Sequence, residues 1–336
     1  MGTTQQTIAD QLGVSRSLVS RALNGSAAEI RANPATVARI RGAARRLGYR
    51  PSAAALALRG QATRTIGVLV KDFADPFFGL MLAELDRLAR RSALSLVMSG
   101  LEHGAGGAGE SVLLARYRPD GLLLVGSDFL PEEVARCLAE GVTAVRLGAG
   151  RRVDGLAQVA LDERAGMARL VGHLRTLGHA RIGYLAEEHV RSRRRAAAVR
   201  EALDAADDAV RVAAGHRQWA DPAWVRAQAR DTGAPTAWIA FDDATAIRAM
   251  HAWREAGVDV PGRFSVAGVD DIPAAKLVTP ALTTLRQPVH ALVRAAFHLL
   301  MSPEPSADER MVPDLVARAS SARRVGLGCD GTMEDG

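Results

Sequence analysis

Cysteine occurs twice in 336 residues, at Cys137 and Cys329. Two thiols so far apart support neither a disulfide framework nor a cysteine-based zinc site. The eight histidines show no H-E-x-x-H pairing or other metal-ligand spacing, and no G-x-S-x-G elbow supplies a nucleophile. There is no secretory pattern at the N-terminus and no apolar run long enough to span a bilayer. The sequence therefore predicts a soluble, cytoplasmic protein with no membrane partner. Lysine is scarce beside arginine and alanine, a usage that reflects source composition and says little about function. Gly104, Gly106 and Gly109 spell G-x-G-x-x-G, but Gly100-Leu101-Glu102-His103 separate them from the preceding strand. A dinucleotide loop follows its strand directly, so this Ala/Gly repeat reads as a flexible loop. His179, in Leu-Gly-His before a strand, reads as a structural turn residue. With no catalytic residue, no metal site and no cofactor site, an enzyme is not expected.

What is present begins near the N-terminus. The chain carries 43 Lys+Arg against 37 Asp+Glu, a formal +6. Residues 1–64 hold ten arginines against Asp10 and Glu29, a balance of +8, and the remainder sums to −2. Such a local excess suits an electrostatic footprint on nucleic acid. Within it lies QQTIADQLGVSRSLVSRALNG, residues 5–25. Ala9 is small where two helices would cross, Gly13 suits a turn, and Val19 anchors the second helix, as a helix-turn-helix requires. Ser15 can cap the second helix and Asn24-Gly25 can stop it. Arg16, Ser17, Ser20 and Arg21 then share an exposed face able to reach phosphates or base edges. An ordinary helical hairpin is the plainer alternative. A third helix fits Pro34 to Leu47, with Asn33 as cap, Gly48 as stop, and Val37, Ile40, Ala44 and Leu47 as its apolar face.

Arg50-Pro51 opens SAAALALRG, about two helical turns, too short to persist alone in water. It is either a conditional helix or a plain linker. From Thr65 apolar runs alternate with helical patterns: TIGVLV (65–70), LSLVMS (94–99), GLLLVG (121–126), TAVRLG (143–148), QVALD (158–162), RIGYLA (181–186), VRVAAG (210–215), TAWIAF (236–241) and FSVAGV (264–269). Helices are expected at about 76–91, 163–177 and 193–206. The pattern predicts an α/β fold with doubly wound parallel sheets in two halves.

Ligands of open α/β sheets sit beyond the carboxyl ends of strands. Asp72, Phe73, Asp75, Phe77 and Phe78 follow the first strand, Asp242 and Asp243 follow TAWIAF, and Asp270 and Asp271 follow FSVAGV. Carboxylates beside aromatic faces suit a polyol such as a sugar. Each acid could instead cap a helix, Asp243 and Asp271 in particular.

The order of these features resembles the lactose-repressor family of bacterial transcription regulators. TIADQLGVSRSLVSRALNG is similar to that family's DNA-reading head, LGYRPSAAALALRG to its hinge, and TRTIGVLVKDFADPFF to the start of its core. LGHARIGYLA resembles a segment of the second half, and GVDDIPAAKLVTPALTTLRQP a late stretch. The resemblance implies a three-helix DNA-binding head over 1–50, a hinge helix and linker over 51–64, and a periplasmic-binding-protein-like core over 65–327. The core lobes would be about 65–160 plus 286–312, and about 161–285 plus 313–327, with a disordered tail at 328–336. It further implies a homodimer on a pseudo-palindromic double-stranded operator, with heads in major grooves and paired hinges in the minor groove. Arg16, Ser17 and Arg21 align with the main base-reading positions. Thr4, Ser15, Ser20, Asn24, Tyr49, Ser52 and Ala55 join them as DNA contacts, and Leu58 aligns with a leucine that wedges between base pairs.

By the same resemblance the effector, a sugar or sugar derivative first and a purine or other small metabolite second, binds between the lobes. Asp72, Phe73, Asp75, Phe77, Phe78, Ser127, Arg195, Trp219, Asp242, Asp270 and Gln287 are the implied contacts. Arg195 lies in RSRRRAAAVREAL, which is otherwise read as a solvated basic face. Departures from the family pattern include the longer 26–34 loop, Ala54 and Leu56 in the hinge, Asp242 for a frequent Asn and Gly148 for a frequent Asp. The expected function is a ligand-controlled, sequence-specific DNA-binding regulator, a repressor. The competing class is a non-regulatory α/β binding or metabolic protein with a fortuitous helical head. Leu58→Ala is expected to weaken operator binding while leaving effector binding intact, as read by titrating duplex and effector separately. Equal operator affinity in both proteins removes the wedge.

Overall fold

The computed structural model describes residues 3–24, 32–49, 62–100, 113–114, 116–127, 129–139, 141–188, 190–203, 212–213, 218–304 and 306–324. Ser52, Ala55 and Leu58 of the expected hinge, the glycine-rich run at 104–109 and the 328–336 tail lie outside them, as does most of the 26–34 loop. The chain divides into two units, Met1–Thr63 and Arg64–Gly336.

The first unit holds α1 (Gln5–Leu12), α2 (Arg16–Asn24) and α3 (Pro34–Arg46). Thr4 and Thr7 cap α1 reciprocally: the Thr7 amide donates to Thr4 Oγ1 at 3.2 Å and the Thr4 amide to Thr7 Oγ1 at 3.4 Å. Gly13 ends α1 in the left-handed region at φ 64°, where a side chain is costly. Ser15 Oγ accepts from the Leu18 amide at 3.2 Å, and Asn33 Oδ1 from the Ala35 amide at 2.9 Å. These are the caps that the sequence predicts at both helix starts. Ile8 and Ala9 of α1, Val19 and Ala22 of α2, and Ile40, Ala43 and Ala44 of α3 form one buried cluster. The small side chains at 9, 22 and 43 let three short helices share so small a core.

The second unit runs β1 (Thr65–Val70), α4 (Pro76–Arg91), β2 (Ser95–Gly100), β3 (Gly121–Val125), α5 (Pro131–Ala139), β4 (Thr143–Leu147), β5 (Ala157–Leu161) and α6 (Glu163–Thr176). It continues through β6 (Ile182–Leu185), α7 (Val190–Ala202), β7 (Val212–Ala213), α8 (Pro222–Arg230), β8 (Ala237–Ala240), α9 (Asp243–Glu255) and β9 (Ser265–Asp270). Last come β10 (Thr283–Arg286), α10 (Val289–Met301), β11 (Asp308–Met311) and β12 (Asp314–Val316). Two six-stranded sheets result, in the orders β11-β5-β4-β3-β1-β2 and β12-β10-β9-β8-β6-β7. Their ladders are parallel except for β10 with β12. Parallel strands are covered on both faces, which is why β1, β3, β6 and β8 are buried throughout.

The chain passes between the sheets three times, after β5, β10 and β11, through segments of one or two residues. The second passage delivers α10 to the first lobe, where Leu292, Val293, Ala296 and Leu299 pack on Phe77, Met81 and Leu85 of α4. The second lobe is centred on Trp238, Trp253 and Phe264, whose rings meet edge-on at 5.1–6.2 Å. Gly183 of β6 lies against them: a β-carbon there would fall 2.3 Å from the Trp238 ring.

Several elements are not foreseen from the sequence. Helix α7 starts at Val190, three residues before the expected start at Arg193. Strand β5 ends at Leu161, which leaves Asp162 to cap α6 by accepting from the Ala165 amide at 2.9 Å. Strand β11 reads DERM and has no alternation to reveal it; its pairing with β5 makes it a strand. Among the described residues no helix is long and apolar enough to cross a membrane. Ile40→Ala is expected to destabilise the three-helix unit by about 2–5 kcal/mol. Faster amide exchange confined to α1–α3 checks this; unchanged exchange there counts against the shared core.

Candidate functional site

On the first unit the exposed face of α2 carries Arg16, Ser17 and Arg21, while Ser20 is half-buried. Ser15 and Ser17 place their hydroxyls 3.0 Å apart at the start of α2. Arg41 of α3 donates to the Ala22 carbonyl at 3.0 Å and so secures the last turn of that helix. Thr4 is exposed at the start of α1, and Tyr49 packs against the helical core. Asn24 is the last residue of α2.

In the second unit the carboxyl ends of the strands face a cleft. Phe77, Phe78 and Ser127 line it from the first lobe, Arg191 and Arg195 from the second, and Gln287 from the β10–α10 passage. Glu163, at the start of α6, also lies on its wall. Arg195 is 1 % exposed. Its Nε donates to Glu163 Oε1 at 2.9 Å, its Nη1 donates to the Phe241 carbonyl, and its Nη2 lies 4.0 Å from Asp270 Oδ1. Its guanidinium also stacks 5.2 Å from the Phe241 ring centroid. Burial opposes its charge, but Glu163 and Asp270 more than offset that and keep it protonated.

Of the eleven expected effector residues, Phe77, Phe78, Ser127, Arg195 and Gln287 line this cleft. The other six are placed beside it or in local structure. Asp72 Oδ1 accepts from the Ala74 amide at 2.8 Å, and Phe73 is 55 % exposed. Asp75 caps α4, accepting from the Phe77 amide at 2.9 Å. Asp242 caps α9, accepting from the Thr245 amide at 2.6 Å. Trp219 is buried in the aromatic core of the second lobe, where its carbonyl accepts from Trp253 Nε1 at 2.8 Å. Asp270 is buried behind the wall, accepting from Gln287 Nε2. The charge of Asp242 helps to raise the pKa values of Asp75 and Asp270, and the charge of Asp75 helps to raise that of Asp270. Burial is the largest cause for Asp75 and for Asp270, and it pushes Asp270 up to about 7.

The two other acids, for which capping was the alternative to a place in the cleft, have other partners. Asp243 is fully buried; its Oδ2 accepts from the Ile272 amide at 2.9 Å and its Oδ1 bonds Thr284 Oγ1. Asp271 is held by Arg286 and Arg318. Arg191, missed in the sequence, is 8 % exposed and stacks 5.0 Å from the Phe241 centroid. It stands four residues before Arg195 on one face of α7, so the earlier start of that helix is the signal that finds it. The basic run is therefore split: Arg191 and Arg195 point inward while Arg193 is exposed. Among the described residues no group of His, Cys, Asp and Glu could hold a metal ion.

Residues 171–321 match the model of the periplasmic binding protein-like domain. The HTH-type transcriptional regulator GalS of Salmonella typhimurium is 31 % identical over 336 aligned residues, covering 96 % of this chain and 97 % of that protein. The chain belongs to the lactose-repressor family. The lac repressor dimer bound to operator and the anti-inducer ONPF shares its fold, with a TM-score of 0.77 at 23 % identity, covering 96 % of this chain and all of that one. The regulator CelR in complex with cellobiose gives 0.66 at 24 % identity over 95 % of this chain and all of that one.

As a member of the lactose-repressor family the chain is a DNA-binding transcriptional regulator. Its Gly148, at the end of β4, is more than a missing carboxylate. With φ at 146°, a β-carbon there would fall 2.3 Å from the Gly126 carbonyl oxygen. The β3 and β4 ends approach too closely to admit a side chain.

Burial, followed by the neighbouring Asp270 charge, pushes Asp243 up to about 8. A folded-state pKa above the unfolded 3.8 means that the native form holds the proton more tightly. The stability from this group is present below about pH 4 and is lost as pH rises toward 8. Asp243→Asn copies the protonated form, able to accept from Ile272 and to donate to Thr284. The variant is expected to melt higher than the wild type at pH 8 and to lose that advantage at pH 4. A pH-independent difference in melting temperature contradicts the assignment.

Proposed function

We propose that the chain is a homodimeric repressor whose grip on a pseudo-palindromic operator is set by a sugar or sugar derivative between the core lobes. The observation that carries this is a likeness to a transcriptional regulator that runs through helical head and two-lobed core alike, covering 96 % of the chain. In this reading residues 1–50 read the major groove through Arg16, Ser17 and Arg21, residues 51–64 form the hinge, and residues 65–327 bind the effector. Thr4, Ser15, Ser20, Asn24 and Tyr49 support the head on the duplex, and Ser52, Ala55 and Leu58 act in the hinge.

The chemistry of the cleft supports the sugar. Aromatic faces at Phe77 and Phe78 can cover the apolar face of a ring. Ser127, Gln287 and the arginines offer hydrogen bonds, and Glu163 accepts them. CelR in complex with cellobiose is one solved neighbour that holds a sugar. Control requires the effector to bind the DNA-competent and incompetent forms with different affinity, and the coupling is reciprocal.

Two measurements test this. Selection from a random pseudo-palindromic duplex library should yield a site bound far more tightly than bulk DNA. Arg16→Ala or Arg21→Ala should then cost about 1–3 kcal/mol and relax specificity at one base pair. Binding that stays at non-specific strength for every duplex defeats the regulator reading. A thermal-shift screen of aldohexoses, ribose, cellobiose and purine bases should raise the core melting temperature with one sugar, because a ligand of the folded form stabilises it. A shift with purines and none with sugars replaces the sugar by a nucleobase.

A further inference from the structure

We propose that Asp271 is a positioning residue for the cleft: it ties two of the three lobe passages to the end of β9 and so holds Gln287 and Arg195 in place for the effector. The inference rests on the cleft being the effector site.

Asp270 and Asp271 have φ of 117° and 54° in succession. Side-chain-bearing residues rarely adopt such conformations, and these persist only where the surroundings over-determine them. The surroundings here are two guanidinium groups. Arg286 Nε donates to Asp271 Oδ2 at 2.6 Å, and Arg318 Nη2 donates to Asp271 Oδ1. Burial raises the Asp271 carboxyl, and these two arginines more than cancel that, holding it below the ordinary range and charged. Arg286 is the last residue of β10, immediately before the passage to α10. Arg318 follows β12, the first strand after the passage from β11. Arg318 is itself anchored, its Nη1 donating to the Leu282 carbonyl at 2.7 Å and its amide to Thr283 Oγ1 at 2.8 Å. One carboxylate thus gathers the chain on the second-lobe side of two passages.

What it gathers bears on the cleft. Gln287, next to Arg286, lines the cavity and donates to Asp270 Oδ1. Arg195, also on the wall, lies 4.0 Å from the same oxygen. Asp270 Oδ2 is buried with no partner among the described residues. A buried carboxylate oxygen left unsatisfied carries a desolvation cost, and the two ion pairs of Asp271 fix the backbone beside it. Asp271 is not among the residues that line the cleft, so it acts through Asp270, Arg286 and Gln287.

The test uses the full chain. The probe is whichever of the aldohexoses, ribose or cellobiose binds the wild type, titrated by calorimetry. Asp271→Asn keeps a residue that tolerates positive φ and removes the charge; Arg286→Gln removes one partner at a half-exposed site. Both should lower affinity, the first about tenfold, within the range of coupling between linked sites. Arg286→Lys, which restores the cation, should bind near wild-type strength, a rescue that a purely structural role would not give. Wild-type affinity in both Asp271→Asn and Arg286→Gln overturns the proposal. If none of these sugars binds the wild type, the sugar reading fails, and amide exchange over residues 284–289 of the empty protein decides the present one. Faster exchange in Asp271→Asn supports it, and unchanged exchange overturns it.

Discussion

The guanidinium of Arg195 is buried almost completely between the two sheets of the core, and the cleft is organised around keeping it charged. Water is removed from it, so carboxylates and carbonyls must take the place of water. Glu163 from the start of α6, the Phe241 carbonyl from the end of β8 and Asp270 from the end of β9 do so. Two strand ends and a helix start are thereby brought to one point. Removing one partner of such a buried pair costs about 3–5 kcal/mol because the other charge is stranded, so the arrangement resists partial rearrangement. It can change only as a unit, which is the behaviour a two-state switch needs.

That unit lies where the chain passes between lobes. The passages are short; Gln287, in the second, bonds Asp270, and Arg318, just past the strand that follows the third, bonds Asp271. A ligand contacting Arg195 or Gln287 therefore acts on the same few atoms that join the lobes. Acids crowd this region without neutralising one another. Asp270 and Asp243 are pushed toward neutral pH by burial, while Asp271 is held charged by its arginines.

Much of this architecture is legible in the sequence, for local reasons. Gly13, Ser15, Asn33 and Gly48 mark the turns and caps of the head because each satisfies a backbone group within a few residues of itself. The buried runs of β1, β3, β6 and β8 stand out because parallel strands are apolar on both faces. The residue roles at the strand ends are less legible. Asp242 and Asp243 are neighbours in sequence, yet one caps α9 at a half-buried position and the other is sealed against Ile272 and Thr284. Trp219 shows the same limit: packing with Trp253 draws it into the second-lobe core and off the cleft wall.

The sequence by itself determined the two-part plan: a basic helical head, an α/β core of two halves, and the family to which both belong. Composition, periodicity and short-range capping carry that information, and each depends on residues close together along the chain. Only the tertiary structure decided which charges are buried. Arg191 and Arg193 lie two positions apart in one basic run, and one faces the cleft while the other faces water. The sequence reading starts α7 at Arg193, and the phase of a helix on its neighbours is set by side chains far away along the chain. Likewise, a glycine at 148 is an absent acid in one dimension. In three it is the point where two strand ends come too close to admit a β-carbon.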